Sequence, residues 1–236
     1  LAQTGLTHLE ELGSTNDWLL ARATTLPDGH WVLADRQTSG KGRHGKLWQD
    51  GLGNLMASVL VHETGPVQQL SFVAAVALHE ALLHALGPLR GLELKWPNDL
   101  LLDGRKVSGI LLERTGDALV IGFGVNLASC PQDLDRPVAA LGGDVAPVLA
   151  ALRTSFAAWR QLWLQAGFAP VRAAWLSAAR GLGQGIEVKL GSEVVQGHFA
   201  GLDESGALLL DLHDGSRRAI HAGEVFGLEA DHAAGD

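Results

Sequence analysis

NDLLLDGRKVSGILLE, residues 98–113, is the stretch that decides the fold. Two apolar runs, LLL at 100–102 and VSGILLE at 107–113, flank Asp103-Gly104, a dipeptide that readily takes the positive backbone angles of a two-residue hairpin turn. Thr115-Gly116-Asp117 then turns the chain into a third apolar run at 119–127. Strands joined by turns this short must run antiparallel. HWVLAD (30–35) and NLMASVLV (54–61) add two further β-prone runs, and between them residues 37–53 carry glycines at 40, 42, 45, 51 and 53, as a long mobile loop would.

Helical signals lie between and beyond these runs. Ser14 caps a short helix near 15–23. Residues 66–86 place Leu70, Val73, Ala74, Ala77, Leu78, Ala81 and Leu82 at helical spacing and stop at Gly87-Pro88. Residues 145–166 and 170–180 repeat the period, with Trp159, Leu162, Trp163, Trp175 and Leu176 as expected core contacts. The main part of the chain is therefore expected to be α+β, a largely antiparallel sheet with helices on one face. After Gly181 the texture changes to short strands at 186–190, 194–202, 207–212 and 216–221, punctuated by glycine turns, which suggests a small β-barrel. The expected organisation is a large domain over 1–180 and a small one over 181–236, whose residues 229–236 read as a polar, frayed tail.

The bulk properties narrow the class. A 47% hydrophobic share over 236 residues is enough for one sizeable core with a smaller appendage. The longest nearly uninterrupted apolar stretch is 72–78, well short of the roughly 20 residues of a bilayer span, so no membrane is expected. Residues 1–13 show no basic region followed by an apolar run, so no secretory signal is visible in them, and without an initiator Met the start could have been trimmed. Cys130 has no internal partner and no Cys/His set has zinc spacing, which points to a reducing, cytoplasmic setting. A net charge of −8 argues against an extended nucleic-acid surface.

Chemistry concentrates in three places. In GKGRHGK (40–46), Lys41, Arg43, His44 and Lys46 stand among Gly40, Gly42 and Gly45, so that backbone amides can approach an anion while side chains neutralise it, as a phosphate site requires. The loop has neither the Gly-Lys-Ser/Thr end of a P-loop nor the strand-to-helix position of a dinucleotide fingerprint, and read alone it also fits a solvated connector. KWPND (95–99) packs a cation, an aromatic, a rigid turn and two oxygen-bearing side chains into five residues; the bland reading is a strand end followed by an Asx turn. Lys106, at the start of the return strand, lies toward the same sheet end as Asp99, although a surface lysine is its default reading. In GFGVN (122–126), Gly122 and Gly124 clear one face of a strand, for a ligand or for tight packing.

Ser14-Thr15-Asn16, the loop QTSGKGRHGKLW (37–48), residues 95–99 with KVSGILLE (106–113), and GFGVN (122–126) occur in the order and at the intervals of the signature segments of biotin protein ligases, and the chain resembles that family. The resemblance implies a mixed sheet with helices packed on it, followed by an SH3-like barrel. It implies an ATP-dependent enzyme that forms biotinyl-5′-AMP and transfers biotin to a lysine of a biotin carboxyl carrier domain. Only thirteen residues precede Ser14, so the expected type is the ligase without an N-terminal DNA-binding domain. By the resemblance, biotin is expected at Ser14, Thr15, Asn16, Gln37, Gly40, Lys41, Gly42, Arg43 and Lys106, with Gly109, Gly122 and Gly124 passing its valeryl chain. ATP is expected at Arg43, Lys46, Trp48, Asn98, Asp99 and Asn126, with Trp48 as a plane for adenine and Mg²⁺ at Asp99 and Asn126. Arg43, Lys106 and Asp99 are the expected catalytic residues, since charge builds on the α-phosphate during attack. The loop over 37–48 is expected to order around biotin or its adenylate.

The loop departs from the family's commonest pattern: Lys41, His44 and Lys46 stand where several members have arginine, and lysine cannot form arginine's bidentate fork. A lipoate or octanoate ligase or transferase and a non-enzymatic small-molecule-binding regulator are the alternatives. The sequence leaves monomer and edge-strand homodimer both open.

Overall fold

The computed structural model describes residues 5–49, 51–63, 65–131 and 137–227. In chain order the elements are β1 (Leu6–Leu12), α1 (Thr15–Leu20), β2 (Trp31–Gln37), β3 (Leu55–His62), α2 (Gln69–Leu86), β4 (Leu92–Lys95), β5 (Asp99–Leu102), β6 (Arg105–Thr115), β7 (Ala118–Val125), α3 (Val145–Ala166) and α4 (Phe168–Ser177), then β8 (Gly185–Leu190), β9 (Glu193–Leu202), β10 (Leu208–Asp211), β11 (Arg217–Ile220) and β12 (Glu224–Gly227). The first seven strands form one sheet in the order β1-β2-β3-β7-β6-β5-β4. β1 and β2 pair in parallel and the other neighbours antiparallel, so the sheet is mixed. The decisive hairpin forms as read: Asp103 (φ 49°) and Gly104 (φ 77°) both take left-handed angles, as a primed two-residue turn demands.

The period of two along the central strands sorts the sheet into two faces. Leu55, Ala57, Val59 and Val61 of β3, with Leu119, Ile121, Phe123 and Val125 of β7, point into the main core. That core is covered by α2, which is buried between the sheet, α3 and α4. By length and composition α2 as a whole is apolar enough for a bilayer span, which the run 72–78 alone does not suggest. More than half of it is buried, as a core helix requires. On the opposite face Leu60, Ala118 and Val120 meet Leu19 and Ala23 from α1 and its following turn, a second, smaller cluster. Further along the same face β7 presents Gly122 and Gly124, and the site lies there.

The second sheet, in the order β11-β10-β9-β8-β12, is antiparallel throughout. Its inward residues Ile186, Val188, Phe199, Leu202, Leu208 and Leu210 join the main apolar cluster. Trp96 Nε1 donates to the Gly206 carbonyl (3.2 Å), and a side chain on Gly206 would run into the Phe72 ring.

Two expectations change. Leu162 is 37% exposed, whereas Trp163 beside it turns inward and donates from Nε1 to Gln69 Oε1 (2.7 Å); α3 buries only one face, and Leu162 falls outside it. The strands β1 and β12 were not expected. The tail at 229–236 lies outside the described residues.

Candidate active site

A cavity of about 650 Å³ opens on the face away from α2. Its walls are the start of α1, the glycine loop, residues 95–99, the β6–β7 face and β12. At one end is a buried polar node. Ser14 caps α1, accepting from the Asp17 amide (3.4 Å). The Thr15 amide (2.7 Å) and the Thr15 hydroxyl (2.9 Å) both donate to Gln37 Oε1. With the oxygen held there, Gln37 Nε2 lies on the Gly40 side, where a Cβ would approach it to 3.2 Å and the Trp48 carbonyl to 2.6 Å. The Thr15 proton being directed at Gln37, the Ser58 hydroxyl is the donor shared between Thr15 Oγ1 (2.8 Å) and Asn16 Oδ1 (2.6 Å). Asn16 Nδ2 donates to Glu113 Oε2 (2.8 Å) and toward the Leu111 carbonyl (3.4 Å). Ser14, Thr15, Asn16, Gln37 and Ser58 are all buried, and their mutual hydrogen bonds are what makes that burial tolerable.

The middle of the cavity is apolar and glycine-faced. Gly122 makes room for the Asn16 carboxamide, and Gly124 for the Trp48 indole: a Cβ at either would collide with that side chain. Gly109 lies under the same indole and beside Lys106, whose Nζ a Cβ would meet at 3.2 Å. In this structure, then, two side chains of the protein explain the glycines directly. Trp48 Nε1 is buried and has no hydrogen-bond partner among the described residues.

The far end is cationic. The register Asp99↔Gly109 between β5 and β6 brings Lys106 Nζ to 2.5 Å from Asp99 Oδ1, and both side chains are less than one-fifth exposed. Arg43 Nη1 donates to Asn98 Oδ1 (3.1 Å), while Asn98 Nδ2 donates to the Ile110 carbonyl (2.5 Å), so the guanidinium is fixed over the end of the sheet. The loop itself is a folded finger: Lys41 bridges Leu47, Gly42 N–H donates to the Lys46 carbonyl (2.7 Å), Trp48 N–H to the Gly40 carbonyl (3.0 Å), and Arg43–Gly45 make one 3₁₀ turn.

The loop cations do not act alike. Lys41 Nζ binds Asp17 Oδ1 (2.5 Å), and that bond pushes its pKa upward against the smaller opposing effect of burial. Lys46 Nζ reaches Glu224 Oε1 (2.8 Å) on β12. The His44 side chain lies outside the described residues. Lys95 sits over the Phe226 ring at 5.4 Å, again on β12.

Most of the expected residues line the cavity: Ser14, Thr15, Asn16, Gln37, Lys41, Gly42, Arg43, Lys46, Trp48, Asn98, Asp99, Lys106, Gly109, Gly122 and Gly124. Gly40 is not among the lining residues and packs closely against Trp48 and Gln37. Asn126 is not among the lining residues; its Nδ2 donates to the Ala139 carbonyl (3.1 Å) and pins the 137–142 segment to β6 and β7. Among the described residues no three His, Cys, Asp or Glu side chains gather as a metal site. Mg²⁺ held chiefly by phosphates needs only one or two carboxylates, and Asp99 fits as one. Ser58, Glu113 and the β12 wall were not expected; the one signal for Ser58 was a lone hydroxyl inside the apolar run NLMASVLV.

The profile of the biotin/lipoate A/B protein ligase family matches residues 9–126, and that of the biotin protein ligase C terminal domain matches residues 181–227. The biotin–[acetyl-CoA-carboxylase] ligase of Paracoccus denitrificans is 41% identical over 92% of this chain and 98% of its own length. The bifunctional ligase/repressor BirA of Escherichia coli is 33% identical over 92% of this chain and 72% of its own. Among solved structures, biotin protein ligase from Aquifex aeolicus in complex with biotin and ATP superposes with a TM-score of 0.84 at 28% identity, covering 94% of this chain and 97% of that one. The chain belongs to the biotin protein ligases of this family.

Proposed function

We propose that this chain is an ATP-dependent biotin protein ligase. Biotin's carboxylate attacks the α-phosphate of ATP, forming biotinyl-5′-AMP as pyrophosphate leaves. A lysine amine of a biotin carboxyl carrier domain then attacks the acyl carbon and AMP departs. The observation that carries this reading is the order of the cavity: a buried hydrogen-bonding node, an apolar glycine face and a cationic end, in a chain 41% identical to a biotin ligase.

Each region has a matching part of the reaction. The ureido ring, with both donors and acceptors, suits Thr15, Asn16 and Gln37, whose orientations are fixed by their partners. The valeryl chain is assigned to the strip along Gly109 and Gly124, which the Trp48 indole covers in this structure, so the indole swings aside to admit it and then borders the space for adenine. Lys106 and Arg43 neutralise the charge that grows on the α-phosphate, an effect strengthened by their restricted exposure to water. Mg²⁺ at Asp99 would supply further neutralisation of the phosphates. The glycine finger covers the acyl phosphate against hydrolysis until the acceptor docks. The chain divides near Gly181 into this catalytic part and a small β part, which lends β12 to the cavity wall. The setting is cytoplasmic, where ATP is available, and the acidic balance offers no extended nucleic-acid surface.

Incubation with biotin, ATP and a carrier domain should add one biotinyl unit to one acceptor lysine, read by mass spectrometry. An acceptor left unmodified while the carrier remains a substrate for another biotin ligase would overturn the proposal. Gly122→Ala should displace the Asn16 carboxamide and weaken biotin binding about tenfold, the scale of a 1–3 kcal/mol overpacking cost. Calorimetric titration checks this, and unchanged affinity would contradict the placement of Asn16.

A further inference from the structure

Glu113 lies on the cavity face of β6, two residues beyond Leu111, and is set back from the cavity wall itself. Its two oxygens face different parts of the site. Oε2 accepts from Asn16 Nδ2 at 2.8 Å, and Oε1 stands 3.8 Å from the ammonium of Lys41, which also holds Asp17. We infer that Glu113 is a positioning residue that fixes the orientation of the Asn16 carboxamide and ties the first half of the glycine loop to the polar node.

A carboxamide can present its oxygen or its nitrogen to a given neighbour, and only its partners decide which. An ionised carboxylate accepts and never donates, so Glu113 selects the orientation with Nδ2 toward itself and Oδ1 toward the Ser58 hydroxyl. The reversed amide would set oxygen against oxygen at Glu113; at Ser58 it would turn the hydroxyl from donor to acceptor toward Asn16, leaving its proton to Thr15 alone. Ser58 also reaches Thr15, and Thr15 holds Gln37, so the choice made at Glu113 propagates through the node. The same carboxylate attracts Lys41, whose backbone begins the finger over that node. Loss of Glu113 should therefore disturb the acid-binding end and the loop together, while the Arg43–Asn98 and Lys106–Asp99 pairs at the nucleotide end keep their partners.

This inference rests on the biotin reading, and its test separates the two. Biotin affinity by calorimetry, the KM for ATP at saturating biotin, the rate at which preformed biotinyl-5′-AMP leaks into solution, and Tm are measured for the wild type and for Glu113→Ala, Glu113→Gln and Lys41→Met. Glu113→Ala should raise the biotin Kd about tenfold or more, as expected for loss of a buried hydrogen bond to a charged group. Glu113→Gln can still offer a carbonyl oxygen to Asn16, so its Kd should stay within about threefold of wild type while the adenylate leaks several-fold faster. Lys41→Met should reproduce that leak, and combining it with Glu113→Gln should add little. The KM for ATP should be unchanged in all. Wild-type biotin affinity in a folded Glu113→Ala protein, equal Kd values for the Ala and Gln variants, or a parallel rise in the KM for ATP would each overturn the positioning role. A wild-type protein that binds no biotin would overturn the functional reading and this inference with it.

Discussion

Lys106→Ala is expected to slow pyrophosphate release from ATP and biotin by about 10²-fold or more. Attack on the α-phosphate concentrates negative charge at the end of the cavity where Lys106 stands, and a charge-assisted contact made in the transition state is worth roughly 3 kcal/mol. The environment supports a figure at that level, since the Lys106 side chain is 12% exposed and its ammonium lies 2.5 Å from Asp99. The truncation also leaves the Asp99 carboxylate without this cation, which is costly in its own right. The double variant Lys106→Ala with Asp99→Asn separates the two effects. Asp99 is itself the proposed Mg²⁺ ligand, so the double variant is read against Asp99→Asn alone; if stranding of Asp99 were the whole cause, it would match that single variant. The account predicts that it does not, and near-normal pyrophosphate release in Lys106→Ala itself would remove the residue from the chemistry.

Gln37→Leu is expected to raise the biotin Kd by about two orders of magnitude with the KM for ATP unchanged. The substitution keeps the volume of the side chain but takes away Oε1, the acceptor of both the Thr15 amide and the Thr15 hydroxyl. Each buried donor left without a partner costs about 1–3 kcal/mol, and the Nε2 donor is lost as well. Part of this appears as stability, a fall in Tm of a few degrees for a chain of about this size, and the rest as affinity, because the disordered node no longer matches the ureido ring. Gln37→Glu, which retains an acceptor for Thr15, should lose less. Titration of biotin into both proteins decides the matter, and equal affinity in Gln37→Leu and wild type would move the ring elsewhere.

What the sequence made legible follows the range of the interactions. The Asp103-Gly104 turn is local, and the alternation in NLMASVLV and in residues 118–125 is periodic, so strands and faces could be read directly. Strand β1 escaped because its LTHLEEL pattern is half polar and its parallel pairing with β2 is made 25 residues along, Leu6 to Trp31. Strand β12 is four residues long with one buried side chain, too little for a pattern.

The site divides in the same way. Ser14, Gln37, Arg43 and Lys106 sit in dense motifs, whereas Ser58 acts on Asn16 from 42 residues away and Glu113 from 97. Lys41 was read correctly as a cation, but nothing in GKGRHGK says that Asp17 is its partner. The motif around Asn126 shows a polar side chain after two glycines but not its partner, the Ala139 carbonyl of the returning 137–142 segment.

The most direct test of biotin-selective activation is pyrophosphate release measured in parallel with biotin, lipoate and octanoate, each with ATP and Mg²⁺. Rapid release is expected with biotin and none above background with the other two, because on the proposed placement only the ureido ring satisfies the Thr15–Gln37–Asn16 node. Equal or faster release with lipoate or octanoate, or no release with any acid, would contradict it.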